Sequence, residues 1–193
     1  MAVEFEVKFR ATREQIEAIR EKEPGLERWY AMATTYYDTP AGDLSARHHT
    51  LRRRRENDRS VCTLKTPEKD GGRMEYELDC DSIQEAIPEL CKLSGDPDLE
   101  KLLAAGVVSV CGAAFNRIAK TVELSECTVE LALDAGILTG GEKEQLLCEI
   151  EVELKRGSRE AALEYARDLM RKYGLVQEKS SKFRRALVLA KGE

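Results

Sequence analysis

Three segments of the chain alternate charged and apolar side chains with the two-residue period of a β-strand. They are residues 2–9, 73–79 and 145–155, and one face of each is charged with almost no Ser, Thr, Asn or Gln. Solvent on the polar side would explain any one of them alone, but their recurrence indicates a shared charged interior. The charged positions are Glu4, Glu6 and Lys8, then Arg73, Glu75 and Glu77, then Glu149, Glu151 and Glu153.

The order of charges along the chain indicates what such an interior would hold. Acids are grouped toward both ends and bases in the middle, where residues 52–55 are four consecutive arginines. Several bases facing one interior are costly to bury unless a polyanion such as a phosphate chain neutralises them. Carboxylates there would repel that anion unless a divalent cation lay between them, and Mg²⁺ and Mn²⁺ prefer hard oxygen ligands. The pattern predicts a site for metal and phosphate.

Short strands and a few helices are the elements that must position these side chains. Alternation and turn residues predict strands at 2–9, 28–38, 50–56, 60–66, 73–79, 107–110, 115–124, 128–134 and 145–155. Capping residues predict helices at 12–23, from 82, at 97–106 and at 158–173. The helix from Ser158 is expected to be the last, followed by a basic tail from Lys179 to Arg185. The helices from Thr12 and Ser158 would cover the outer apolar face of a closed barrel.

Composition narrows the class of protein. A chain of 193 residues is expected to form one domain, residues 1–193, and a charged fraction of 35% with 42% hydrophobic residues is typical of a folded globule. The net charge of −5 does not favour a general nucleic-acid or anionic-membrane surface. Six scattered cysteines without zinc-ligand spacing are expected to be reduced core thiols. Neither a leader nor a run of about 20 apolar residues is found, so a cytoplasmic location is expected.

Glu4-Phe5-Glu6-Val7-Lys8 resembles the ExExK signature that opens proteins of the CYTH superfamily, the triphosphate tunnel metalloenzymes. Later motifs resemble those of the family in the same order, as far as Arg185. They are Tyr36-Tyr37-Asp38-Thr39, Leu51-Arg52-Arg53-Arg54, Thr63-Leu64-Lys65, Arg73 with Glu75 and Glu77, Arg117, Glu130 with Leu133-Asp134, Glu149-Ile150-Glu151, and Ser181-Lys182 with Arg185. The resemblance implies an α+β fold, an eight-stranded antiparallel β-barrel that forms a tunnel, with flanking helices.

The resemblance also implies a role for each charged position. The metal ions, Mg²⁺ or Mn²⁺, would be held by Glu4, Glu6, Glu149 and Glu151, with Asp134 and either Glu130 or Glu153. Phosphate oxygens would be bound by Lys8, Arg52, Arg54, Lys65, Arg73, Arg117, Lys179 or Lys182, and Arg185. Glu4, Glu6, Lys8 and Glu151 would act in the chemical step, in which water attacks the terminal phosphorus in line. The family pattern favours Arg52 and Arg54 facing inward, with Arg53 and Arg55 on the other face.

Hydrolysis of inorganic triphosphate to pyrophosphate and phosphate is the favoured function, since no other pattern indicates a pocket for an organic group. Thiamine or nucleoside triphosphate hydrolysis and adenylate cyclisation would use nearly the same charged set and remain alternatives. A polyphosphate-binding module or a nucleic-acid-binding protein would not need the acids. The expected partner is a small-molecule triphosphate, with no nucleic acid and no membrane, and the protein is expected to be a monomer or homodimer. His48 and His49 are expected in a surface loop.

Overall fold

The computed structural model describes residues 5–67 and 73–192, which form one antiparallel sheet and six helices. The strands are β1 (Glu6–Arg10), β2 (Leu26–Asp38), β3 (Thr50–Glu56), β4 (Arg59–Pro67), β5 (Arg73–Asp79), β6 (Val108–Glu123), β7 (Cys127–Gly140), β8 (Lys143–Gly157) and β9 (Val176–Gln177). The helices are α1 (Arg13–Lys22), α2 (Asp43–Ala46), α3 (Ile83–Ser94), α4 (Pro97–Leu103), α5 (Arg159–Tyr173) and α6 (Lys182–Lys191). The expected α+β fold with an antiparallel sheet and flanking helices is confirmed.

The strands lie in the order β5-β4-β3-β2-β6-β7-β8-β1-β9. The expected number of eight is wrong, because the two residues of β9 pair with β1 at the edge of the sheet and are too few to show an alternation. Closure into a barrel is also not found in the backbone pairing, since β5 and β9 are the two edges of the sheet in the described part of the chain. The sheet is nevertheless strongly curved, because residues of β5 and β1 line the same cavity.

One long strand, β6, replaces the two strands expected at 107–110 and 115–124. The small residues between those segments have low β-propensity, but β6 pairs along its length with β2 on one side and β7 on the other. Gly112 fits this crowded position because an added Cβ would approach the Thr34 carbonyl oxygen to 3.0 Å. Likewise β7 continues six residues beyond the expected end at Asp134. Pairing on both sides therefore outweighs local propensity.

Helices α1 and α5 cover the outer face of the sheet, as expected. Thr12 and Gln15 form the capping box that begins α1, and Ser158 caps α5, which ends at Gly174. Ile16 and Ile19 of α1 pack with Ala162, Ala166 and Leu169 of α5 against Val129, Leu131 and Leu133 of β7. A second apolar cluster lies under α3 and α4 against β3 and β4.

The expected basic tail is instead the beginning of α6, and α5 is not the last helix. Ser181 caps α6 by accepting a hydrogen bond from the Arg184 amide. Phe183 and Ala186 pack against Leu138, which by alternation lies on the face of β7 opposite to Leu133 and the outer helices. Helix α6 therefore packs on the inner, concave face of the sheet.

The cysteines and the helices of the described residues can be compared with the expectations from composition. All six cysteines are free, and four of them are buried while Cys80 and Cys148 are partly exposed. None of the helices in 5–67 and 73–192 is long and apolar enough to cross a membrane.

Candidate active site

The concave face of the sheet encloses a cavity of about 1810 Å³. Among the described residues, twelve basic and eight acidic side chains line it, drawn from every strand except β9, from the start of α5, from the residues before α6 and from α6 itself. The protein as a whole has a net charge of −5, so positive charge is concentrated in this cavity. His48 and His49, expected in a surface loop, lie in the turn between α2 and β3 and border the cavity as well.

Three carboxylates form a cluster on the wall made by β7 and β8. Asp134 pairs with Glu149 across these strands, and Glu151 follows two residues later on the same face. One carboxylate oxygen of each lies within 4.8 Å of the others. Asp134 and Glu149 are completely buried, with 0% exposure. We call these three residues the carboxylate triad.

Three basic side chains neutralise the triad. Arg117, directly opposite Asp134 on β6, donates two hydrogen bonds of 2.7 Å to it and a further one to Glu151. Lys182 Nζ lies 2.9 Å from Asp134 Oδ2 and 2.8 Å from Glu151 Oε1, and it also contacts Glu149. Arg185 contacts Glu149. Every triad carboxylate therefore has a cationic partner.

Burial and these ion pairs shift the pKa values of the site in opposite directions. Burial alone would lower the pKa of Lys182, but Asp134, Glu151 and Glu149 raise it well above its ordinary value. Burial would raise the pKa of Glu151, but Lys182 and Arg117 hold it well below the usual range. At Glu149 burial prevails and raises the pKa, although Lys182 and Arg185 oppose the shift. The cluster is stable because opposite charges are in contact.

The facing wall, made by β3, β4 and β5, carries basic side chains. Glu75 is opposite Lys65 on the neighbouring strand and lies 3.2 Å from both Lys65 Nζ and Arg52 Nη2. Arg54 pairs with Glu56 two residues later. Burial and the charge of Arg52 lower the pKa of Arg54, so an anion beside this guanidinium would be stabilised.

Lys8 on β1 lies beside the wall made by β7 and β8. It pairs with Glu6 at 2.9 Å and is opposite Glu151 in the β1–β8 register. Burial would lower the pKa of Lys8, but Glu6 and the triad residues Glu151 and Glu149 raise it. Lys8 is therefore charged and held near the carboxylates.

The structure places most of the expected site residues on this cavity. The cavity is lined by Glu6, Lys8, Arg52, Arg54, Lys65, Arg73, Arg117, Glu130, Glu151, Lys179 and Lys182, while Asp134, Glu149 and Arg185 lie beneath its surface. Arg52 and Arg54 face inward, and Arg53 points away to donate a hydrogen bond to the Asp81 carbonyl. Glu4 lies outside the described residues.

Two expected metal ligands are not in the triad. Glu130 instead pairs with Arg28 at 2.9 Å and with Lys155 at 3.9 Å. Glu6 pairs with Lys8 and lies opposite Glu153 in the sheet. The family motifs therefore did not show which of the expected metal ligands form the triad and which pair with nearby bases.

Glu75 and Glu77, which the alternation places on the charged face of β5, line the cavity and are partners of the basic wall. Glu56 and Thr63 were not predicted as site residues. Glu56 pairs with Arg54, and Thr63 donates a 3.1 Å hydrogen bond to Glu77. Glu56 lies two residues from Arg54 and Thr63 two residues from Lys65, so the same two-residue period would have identified both. Arg184 belongs to the expected basic tail and lines the cavity from α6, a helix that the sequence pattern does not predict.

The donor set fits a divalent cation. Asp134, Glu149 and Glu151 offer hard carboxylate oxygens that converge within 4.8 Å, which suits Mg²⁺ or Mn²⁺ and does not suit soft metals. The donors alone do not distinguish these two ions.

Comparison with known proteins assigns a family to this geometry. The CYTH domain model matches residues 2–187. An inorganic triphosphatase of Haemophilus influenzae is 30% identical over 160 residues, which are 82% of this chain but 46% of the relative. The chain therefore spans a little under half the length of that relative.

Solved structures share the fold at low sequence identity. An adenylate cyclase candidate from Bacillus halodurans has a TM-score of 0.67 at 18% identity, covering 95% of this chain and 96% of its own. An adenylyl cyclase candidate from Hippeastrum with a dominant triphosphatase activity has a TM-score of 0.63 at 19% identity, covering 98% and 96%. Because the family model covers nearly the whole sequence and the fold agrees, this chain belongs to the CYTH domain family.

Proposed function

We propose that this chain hydrolyses inorganic triphosphate to pyrophosphate and phosphate in the charged cavity, with Mg²⁺ or Mn²⁺ as the metal. The observation that carries the proposal is the excess of positive charge in the cavity of a negatively charged protein. Even when buried Asp134, Glu149 and Arg185 are added to the lining residues, thirteen bases face ten acids among the described residues. A compact polyanion is the ligand that this excess favours.

The basic wall would bind the phosphate chain. Arg52 and Lys65 are held side by side by their shared contact with Glu75, so they would present two donors to neighbouring phosphate oxygens. The buried Nε atom of Arg54 has no hydrogen-bond partner in the described part of the chain. A buried donor of this kind is costly unless a ligand satisfies it.

The carboxylate wall would hold the metal through the triad, with Glu6 and Lys8 beside it. When bound, the divalent cation would supply positive charge against the phosphate oxygens and lower the pKa of a bound water. Arg117 and Lys8 would stabilise the negative charge that develops on the terminal phosphoryl group. In this proposal the curved sheet β1–β8 is the wall of a tunnel, with β9 added at its edge.

The matched relative supports this choice of substrate, because the Haemophilus influenzae protein is an inorganic triphosphatase. Organic triphosphates are the second candidate, and one observation favours them. The cavity has an apolar part, lined by Val108, Val110, Leu187 and Val188, where a base or thiazole ring would find apolar contacts. Hydrolysis of thiamine or nucleoside triphosphate, or cyclisation of ATP, would use that part of the cavity.

The test is product release from inorganic triphosphate, thiamine triphosphate and ATP in parallel, each with Mg²⁺, Mn²⁺ or EDTA. We expect phosphate from inorganic triphosphate that EDTA abolishes, with slower release from the organic substrates. Faster turnover of an organic substrate would replace the proposed one, and cyclic AMP with pyrophosphate from ATP would make the protein a cyclase. If none of the three substrates yields a product, the protein would be a polyphosphate-binding module.

A further inference from the structure

The first turn of α6 occupies the space between the triad carboxylates. Lys182 Nζ is in ion-pair contact with all three, at 2.9 Å from Asp134 and 2.8 Å from Glu151. Lys182 is itself 10% exposed, so little water screens these contacts. Arg185, on the next turn of the helix, contacts Glu149 from the same side. The oxygens that would bind a metal are therefore already occupied by an ammonium group.

An ammonium group and a divalent cation cannot share these oxygens. Mg²⁺ requires carboxylate oxygens at about 2.0 to 2.1 Å, whereas the same oxygens surround Lys182 Nζ at hydrogen-bonding distance. Two cations so close together in a buried site would repel each other strongly. We propose that Lys182 is an internal competitor for the metal, so that a divalent cation binds the triad only when Lys182 leaves it.

Lys182 is placed so that its displaced ammonium group can move into the cavity. Lys182 lines the cavity as well as the triad, and its Nζ lies 5.3 Å from the centre of the Phe115 ring, which also lines the cavity. A small rotation about its long side chain would turn the ammonium group from the carboxylates toward a phosphate chain. In this proposal Lys182 moves from the carboxylates to the phosphate chain. Bound metal displaces Lys182 toward the triphosphate, and bound triphosphate draws Lys182 away from the metal site, so each ligand increases the affinity for the other.

The stability of helix α6 would change when Lys182 leaves the triad. Its first turn is anchored to the sheet by the ion pairs of Lys182 and Arg185, while Phe183 and Ala186 hold the rest of the helix by apolar packing. Loss of the Lys182 contacts would weaken the start of α6 without releasing the whole helix. The proposal rests on the proposed function only in taking a divalent metal as the ligand of the triad.

The test is direct titration of Mn²⁺ by calorimetry, without any phosphate, on the wild type, Lys182→Met and Arg184→Met. Arg184 lies on the same turn of α6 and borders the cavity, and its side chain has no ion pair with the triad among the described residues. We expect Lys182→Met to bind Mn²⁺ about tenfold more tightly, within the usual range of coupling between sites, and Arg184→Met to stay within about twofold. Equal tightening in both variants, or none in Lys182→Met, would overturn the proposal.

Hydrogen exchange on the wild type keeps the proposal testable if Lys182→Met does not fold. At saturating Mn²⁺ the amides at the start of α6, such as that of Arg185, which donates to the Ser181 carbonyl, are expected to lose protection several-fold, since the anchor of the first turn is released. The amides nearer the end of the helix are expected to keep theirs, because the apolar packing of Phe183 and Ala186 remains. Unchanged protection at the start of α6 would contradict the displacement of Lys182. Both measurements use no substrate, so their outcome is independent of the product-release assay that tests the proposed function.

Discussion

At the scale of single residues, the two-residue period predicted which side chains share a face, and the resemblance to the family predicted which face lines the cavity. Arg52 and Arg54 lie inside as the family pattern favours, and Arg53 lies outside. The partners of these residues were not predictable, because they come from distant parts of the chain. Lys182 and Arg185 are more than 30 residues from the glutamates that they contact. The sequence therefore indicated a metal and phosphate site but not that its carboxylate triad is already paired with Arg117, Lys182 and Arg185.

The adjacent arginines Arg52 and Arg53 allow a matched test of the proposed phosphate contacts. Arg52→Gln is expected to raise the KM for triphosphate at least tenfold, since a hydrogen bond to a charged group contributes about 1.5 to 3 kcal/mol. Arg53→Gln removes the same charge from the outer face, where the side chain contacts the Asp81 carbonyl at 3.0 Å, and should change KM less than about twofold. Steady-state kinetics of phosphate release would measure both. Similar effects in the two variants would refute the assignment of Arg52.

At the scale of elements, segments with clear alternation or caps were predicted well, and segments defined by tertiary packing were not. Helix α1, with its Thr12 cap, and strand β5 have the expected positions. The sequence predicts two strands in place of β6 because residues 111–114 are small, yet pairing on both sides keeps β6 extended. The sequence predicts a basic tail in place of the start of α6, because charged residues there outnumber the apolar residues that precede the helix interior. Those charged residues are part of the site, so their side chains face the cavity or the triad and do not show the apolar period of a packed helix.

The junction between α1 and α5 carries a prediction on pH and stability. Glu23, whose side chain is 8% exposed, accepts hydrogen bonds from Lys172 Nζ at 2.7 Å and Tyr173 Oη at 2.6 Å. Burial alone would raise the pKa of Glu23, but these hydrogen bonds outweigh it, so the pKa lies below the ordinary value of 4.5. A lowered pKa means that the ionised group stabilises the fold above pH 4.5 and loses this effect as the pH falls further.

Glu23→Gln is accordingly expected to lower the free energy of unfolding by about 1 to 2 kcal/mol at pH 7, allowing for the exposure of Lys172. The difference from the wild type should shrink as the pH falls below the ordinary pKa. Urea unfolding at pH 7, 5 and 3.5 would measure it, with Glu21→Gln on the exposed face of α1 as the control, expected within about 0.5 kcal/mol. A difference that is constant across these pH values would show that the carboxylate charge is not its source.

At the scale of the whole molecule, the net charge of the protein is negative while the charge of the side chains around the cavity is positive. This separation of charge follows from the fold. Bases from six strands and from two helices, α5 and α6, line the concave face of the sheet, while acids elsewhere bring the total to −5. The net charge alone did not favour a nucleic-acid or anionic-membrane surface, and only the distribution of charge along the strands indicated a phosphate partner. That residues 1–193 form a single domain stays a prediction.

This separation predicts that a triphosphate will stabilise the protein even without metal. Tripolyphosphate in EDTA, at about 100 times its Kd, should contribute about 2.7 kcal/mol to folding, or roughly 5 to 10 °C in Tm for a chain of this size. Sulfate at the same ionic strength should give a much smaller shift, because a single tetrahedral anion cannot contact Arg52, Lys65 and Arg117 together. Added NaCl should reduce the shift from tripolyphosphate by screening the cavity. Equal shifts from sulfate and tripolyphosphate would mean that the cavity attracts anions without being shaped for a phosphate chain.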